Sequence, residues 1–149
     1  MAHRLVMITG SGPGAGKSTL ANRLQGELEA RGYAVRLWPE MALFEWESLA
    51  GLAERFRRCE YPSPDDLISV FKDVLGSTDS DATWIQDWSW IDLAEDLPWA
   101  VDDLGALGDF SQRAHAAAAY LQPLVLYLHT DISVALDRAV KQRGIRWLA

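Results

Sequence analysis

The sequence predicts an α/β protein built as three layers, with helices on both faces of a parallel sheet. Three observations carry it: a Gly-rich loop set between an apolar run and a helical pattern, an alternation of short apolar runs with amphipathic stretches, and strand ends that repeatedly close on acidic residues. Runs that are apolar throughout suit strands covered on both faces, and a strand, a helix and a strand in succession predict a right-handed parallel crossover.

Arg4 to Thr9 reads as the first strand, bounded by Gly10. The stretch Ile8 to Leu20, I-T-G-S-G-P-G-A-G-K-S-T-L, then has the form of a phosphate-binding loop leading into a helix. Its glycines let successive N–H groups turn toward one point, and the helix N-terminus adds partial positive charge behind a polyphosphate. The residues expected to hold the nucleotide are Ser11, Gly12, Pro13, Gly14, Ala15, Gly16, Lys17, Ser18 and Thr19. Lys17 is placed to reach the β and γ oxygens, and the Ser18 hydroxyl to ligate Mg²⁺. Strict spacing of the motif puts a glycine where this chain has Ser11.

Lys17 to Arg31 follows as a helix with Leu20, Leu24 and Leu28 on one face and Gly32 past its end. Tyr33 to Trp38 is the second strand, closed by Pro39 and Glu40 at the strand end where ligands of parallel sheets bind. Met41 to Arg58 reads as one helix with Leu43, Trp46, Leu49, Ala50 and Ala53 as its apolar stripe, and Ser63-Pro64-Asp65-Asp66 opens another that runs to about Leu75. Thr83 to Gln86 is a third strand ending at Asp87, the position of a Walker B carboxylate that holds the Mg²⁺ shell. Ser89 to Leu97 and Phe110 to Leu121 read as helices, interrupted near Pro98, Gly105 and Gly108. Leu124 to His129 is the fourth strand. Thr130 or Asp131 caps a last helix with Ile132, Leu136, Ala139 and Val140 inward and a basic end that includes Arg138 and Arg143.

Composition narrows the function. The chain has 149 residues, 49% of them apolar, enough for one domain. A net charge of −7 argues against nucleic acid as a partner, and no apolar stretch is long enough for a membrane helix. From Ser77 to Gln112 the chain carries nine carboxylates and no Lys or Arg, which disfavours an anionic ligand there. A lone Cys59 suits a reducing, cytoplasmic location. Four of the seven tryptophans, Trp38, Trp46, Trp88 and Trp90, cluster on the expected acceptor side, where they could stack on a planar ring, though most are expected to pack in the core.

With these residues in view, the chain resembles the P-loop kinases of the deoxynucleoside kinase and thymidylate kinase group. G-P-G-A-G-K-S-T at 12–19 is similar to their loop, and L-W-P-E at 37–40 to the strand end that carries their base. Asp87-Trp88-Ser89 looks like their acid-Arg-Ser triplet, and 124–144 is similar to the fourth strand and helix leading into an Arg-bearing lid. The resemblance implies a three-layer P-loop fold with parallel strands in the order 2-3-1-4, and a kinase that uses ATP and Mg²⁺ to phosphorylate a hydroxyl of a small molecule. Lys17 would hold the phosphates, Ser18 and Asp87 the metal, Glu40 or Asp87 would act as base, and Arg138 or Arg143 would neutralise the transferring group. Trp88 stands where those families have Arg, and no Arg precedes Pro39-Glu40, which favours an uncharged or cationic acceptor. The families continue into a fifth strand, so the resemblance implies a single kinase-like domain cut short after residue 144, its fourth strand an apolar edge for a second copy or a partner to cover. A nucleotide-binding regulatory or assembly module with no acceptor is the alternative reading.

Overall fold

The computed structural model describes residues 4–40, 42–78, 81–95 and 97–144. Four parallel strands, β1 (Leu5–Gly10), β2 (Val35–Trp38), β3 (Thr83–Gln86) and β4 (Leu124–Leu128), form one sheet in the order β2-β3-β1-β4. The α/β class and the 2-3-1-4 order expected from the sequence are therefore observed, and the strand bounds shift by one or two residues. Registers run Leu5↔Trp84 and Val6↔Leu124 on the two sides of β1, and Val35↔Thr83 between β2 and β3.

Alternation along the strands divides the core in two. On one face Val6, Ile8, Val35 and Ile85 meet Ala21, Leu20, Leu24 and Leu28 of α1 (Lys17–Ala30). On the other, Leu5, Met7 and Trp38 meet Leu52 of α3 (Ala50–Arg57), Leu67, Phe71 and Leu75 of α4 (Pro64–Gly76), Trp90 of α5 (Trp90–Ala94) and Phe110 and Ala114 of α7 (Leu104–Ala118). Trp38, Phe71, Trp90 and Phe110 are fully enclosed, each contributing about 1.5–3 kcal/mol or more by area removed from water. The Trp38 ring stacks on Trp46 at 5.1 Å and meets Trp88 and Trp90 edge-on at 5.9 and 6.0 Å, so the four tryptophans at the strand ends are a packed core cluster.

Three local expectations are corrected. The helix expected over 41–58 is broken into α2 (Ala42–Glu45), a 3₁₀ turn (Glu47–Leu49) and α3, because Trp46 adopts extended backbone (φ −85°, ψ 129°) and lays its ring on Trp38. Met41 itself lies outside the described residues, as do the side chains of Leu43 and Phe44, and Ala50 is exposed. Gly105 and Gly108 do not interrupt a helix: after α6 (Pro98–Asp102), α7 starts at Leu104 and runs through both, capped by the Asp103 carboxylate accepting from Gly105 N at 2.8 Å. A side chain at Gly105 would meet that carboxylate at 2.9 Å, so glycine admits the cap. Finally, α8 (Ile132–Arg143), capped by Asp131, buries Ala135 and Ala139, while Ile132 and Leu136, expected inward, are 68% and 41% exposed.

The inward face of α8 is set by how closely it approaches the loop. A Cβ built on Gly14 would fall 2.1 Å from the Ala135 carbonyl oxygen and 3.2 Å from Ala139 N. Only alanines fit beneath such a backbone contact. Among the described residues, no helix is long and apolar enough to cross a membrane.

Candidate functional site

β1 delivers the chain into the Gly-rich loop at the C-terminal end of the sheet. Gly12, Gly14 and Gly16 take φ of 124°, 82° and 99°, values that L side chains rarely adopt, so three of the glycines in the motif are required by the backbone path. Gly16 is the N-cap of α1 and offers no side chain to it. The first-turn N–H groups of Lys17, Ser18 and Thr19 therefore have no cap from that side chain and no partner one turn earlier. They are free to bind an anion, with the helix dipole behind them.

Ser11, the departure from strict spacing, ties the loop down. Its N–H donates to Leu128 O at 3.1 Å, its hydroxyl to Thr130 O at 3.0 Å, and Thr130 N donates back to the hydroxyl at 3.2 Å. Thr130 Oγ1 donates to Ala15 O at 3.3 Å. A glycine at position 11 would keep the backbone bond to Leu128 but lose both hydroxyl bonds to Thr130.

The loop floors a cavity of about 710 Å³. Around it stand Gly12 to Leu20, then Arg23 of α1, Glu40 from the end of β2, Leu128 of β4, and Arg138, Lys141 and Gln142 of α8. Of the residues expected at the site, Gly12 through Thr19, Glu40 and Arg138 share this space; the side chain of Arg143 lies outside the described residues. Sequence reasoning missed Arg23, Lys141 and Gln142. The signal for the last two was Arg138 itself, since residues three and four apart share a helix face. Lys141 is engaged with Asp137 at 2.6 Å one turn back.

Asp87 sits behind Ser18, 5% exposed. Burial pushes its carboxyl above the usual range, opposed by hydrogen bonds from the Ser18 hydroxyl and the Glu40 backbone and by the Lys17 charge. Its Oδ1 has no hydrogen-bond partner. Asp87 is held by its own N–H donating to Trp38 O at 3.2 Å, while Trp88 Nε1 donates to Pro39 O at 3.2 Å, so the ends of β2 and β3 are joined directly beneath Glu40. The end of β1 is tied in as well: Thr9 Oγ1 donates to Asp92 at 2.6 Å, and Asp92 closes a capping box with Ser89 at the start of α5.

These groups fit a magnesium–triphosphate. Among the described residues no cluster of three His, Cys, Asp or Glu could hold a metal by itself. Mg²⁺ bound with a nucleotide does not need one, since it takes most of its ligands from phosphate oxygens and water, with one hydroxyl and one carboxylate from the protein. Ser18 beside a carboxylate whose Oδ1 is unpartnered is such a pair.

Beside Asp87, and fully buried, Gln86 leaves both amide atoms without partners, and the indole nitrogens of Trp38 and Trp90 are likewise unpartnered. From the sequence Gln86 is only the last residue of the third strand.

No protein-family model matches the chain, and no curated protein matches it.

Proposed function

We propose that the chain is a P-loop, ATP-dependent kinase that transfers the γ-phosphoryl group to a hydroxyl of a small neutral or cationic acceptor. The observation that carries this reading is the convergence, on one 710 Å³ cavity, of the Gly-rich loop and α1 N-terminus with an acid from the next strand end, Glu40, and a cation from α8, Arg138, while Asp87 backs Ser18. A loop that only holds a nucleotide needs the first of these and not the others.

In this reading Lys17 and the loop amides bind the β and γ phosphates and fix the triphosphate in line. Ser18 and Asp87 would hold Mg²⁺, which when bound neutralises phosphate charge. Glu40, exposed at the rim, orients the acceptor hydroxyl and takes its proton, with Asp87 as the alternative base. Arg138 stabilises charge on the transferring group, with Arg143 as the alternative cation. Positioning and electrostatics supply most of such a rate enhancement, so the arrangement needs no covalent intermediate. Trp88, standing where the resembled kinases carry an Arg, supports an acceptor that carries no phosphate. The reading carries a cytoplasmic location with it, supported by a single free and exposed Cys59.

The test is phosphoryl transfer from labelled ATP to a panel of nucleosides, sugars and amino sugars. Lys17→Ala is expected to lower turnover by about 10²-fold or more while leaving the thermal unfolding transition in place. Transfer that is unchanged in this variant sinks the assignment. Tight nucleotide binding or bare hydrolysis with no transfer to any acceptor would instead favour a regulatory module.

A further inference from the structure

Seven of the twelve large apolar side chains that are exposed among the described residues fall between Tyr120 and Leu136. Three lie on β4 (Leu124, Val125 and Tyr127) and three on the first turns of α8 (Ile132, Val134 and Leu136). β4 is the outer strand of the sheet, and its five residues include no Lys, Glu or Pro of the kind that blunts an open edge.

The edge is also self-complementary. Ser11 N donates to the Leu128 carbonyl, so Leu128 directs its backbone groups toward β1, and by alternation Leu126 and Leu124 do the same. Val125 and Tyr127 therefore present N–H and C=O to the open edge. Two copies of β4 running antiparallel about a two-fold axis at Leu126 place Val125 opposite the partner's Tyr127 and Tyr127 opposite the partner's Val125. Outward-facing residues then meet outward-facing residues, which makes both pairs hydrogen-bonded, and all five residues of each strand are matched. An isologous contact requires this reciprocity.

A place for the aromatic ring exists as well. Val125 walls a cavity of about 320 Å³ between the sheet and α5 and α7, floored by Met7, Phe71 and Trp90. Val125 and Tyr127 project from the same face of the sheet, opposite to Leu126 and Leu128, which pack toward α1. Tyr127 of a second copy, directly across from Val125, stands at the mouth of this cavity; within its own chain the same ring is 62% exposed.

We propose that this chain forms a two-fold dimer by antiparallel pairing of β4 with β4 of a second copy, joining two four-stranded sheets into one of eight. The pairing does not depend on the kinase reading.

Sedimentation equilibrium of the 149-residue chain is expected to give twice the 16.6 kDa chain mass at micromolar concentration. Tyr127→Lys, which alters only an exposed position and adds a charge to the edge, should weaken association at least about tenfold with an unchanged far-UV spectrum. Leu126→Cys, in a Cys59→Asn background that suits the left-handed backbone at residue 59, should cross-link to itself on mild oxidation. Residue 126 faces its own copy in a non-hydrogen-bonded pair with Cα atoms about 4.5 Å apart, within disulfide reach. A monomer, whether or not another protein takes the edge, overturns the proposal. So does a dimer that Tyr127→Lys leaves intact and that Leu126→Cys fails to cross-link.

Discussion

Asp87 and Gln86 are adjacent, buried and incompletely partnered, and that combination yields opposite expectations for stability and function at single residues. The Asp87 carboxyl is pushed up in the folded protein, so the native state holds its proton more tightly than the unfolded chain does. In metal-free protein this site is neutral toward folding below the ordinary value of 3.8 and becomes a growing penalty as pH rises through that value to the raised folded one. Asp87→Asn should therefore raise the melting temperature at pH 7 more than at pH 4, and on the proposed kinase reading abolish Mg²⁺-dependent turnover; equal shifts at the two pH values would show that burial of the charge is not the cause. Gln86 leaves an amide donor and acceptor unpartnered at zero exposure. Replacing the amide with a thioether of similar shape, Gln86→Met, should stabilise the fold by about 1–2 kcal/mol in urea denaturation. A loss of stability would mean that the amide is bonded in solution. Neither residue's environment was readable from sequence. The strand pattern gave their position, while their burial depends on the loop, helices and neighbouring strands that pack around the strand end.

Among the elements, the contact between the loop and α8 governs most. Gly12 and Gly14 both have positive φ, and an L residue at either costs about 1–3 kcal/mol in backbone strain. They differ in surroundings. A Cβ at Gly12 meets nothing within 4 Å, whereas one at Gly14 drives into the α8 backbone at Ala135. Gly14→Ala should therefore destabilise by a further 1–3 kcal/mol or so beyond Gly12→Ala through overpacking, displacing Arg138 with the helix. Chemical denaturation of the pair provides the check, and equal losses would place α8 farther from the loop. The sequence signalled the helix and placed Ala139 inward correctly, but not Ile132 and Leu136. Periodicity favours the largest apolar side chains, Ile132 and Leu136, while the observed approach admits only alanine. The break at Trp46 was hidden for a similar reason, since a ring-on-ring contact with Trp38 outweighed helical propensity over 41–58.

For the whole molecule, the legible part was the sheet. Four apolar runs separated by helical stretches, with the loop after the first, left few topologies once crossovers are right-handed, and the resemblance of the loop to that of P-loop kinases picked the observed 2-3-1-4 order among them. The site was legible wherever a strand end fixes a residue: Glu40 after β2, Asp87 after β3 and the loop after β1 all lie at the same end of the sheet. What depended on helix packing, such as Arg23 and Lys141 at the cavity, was not, whereas the apolar edge of the fourth strand was.

The tryptophan cluster has one more consequence, and it is optical. Trp38, Trp46, Trp88 and Trp90 lie ring to ring within 5.1 to 6.0 Å of one another along the chain of contacts, close enough for their electronic transitions to couple and for excitation to pass among them. Trp88 is bonded to Pro39, next to Glu40, and follows Asp87 directly. The protein thus carries a chromophore array wired to the two acids of its candidate site, and intrinsic emission and near-ultraviolet circular dichroism become natural readouts of events in that cavity.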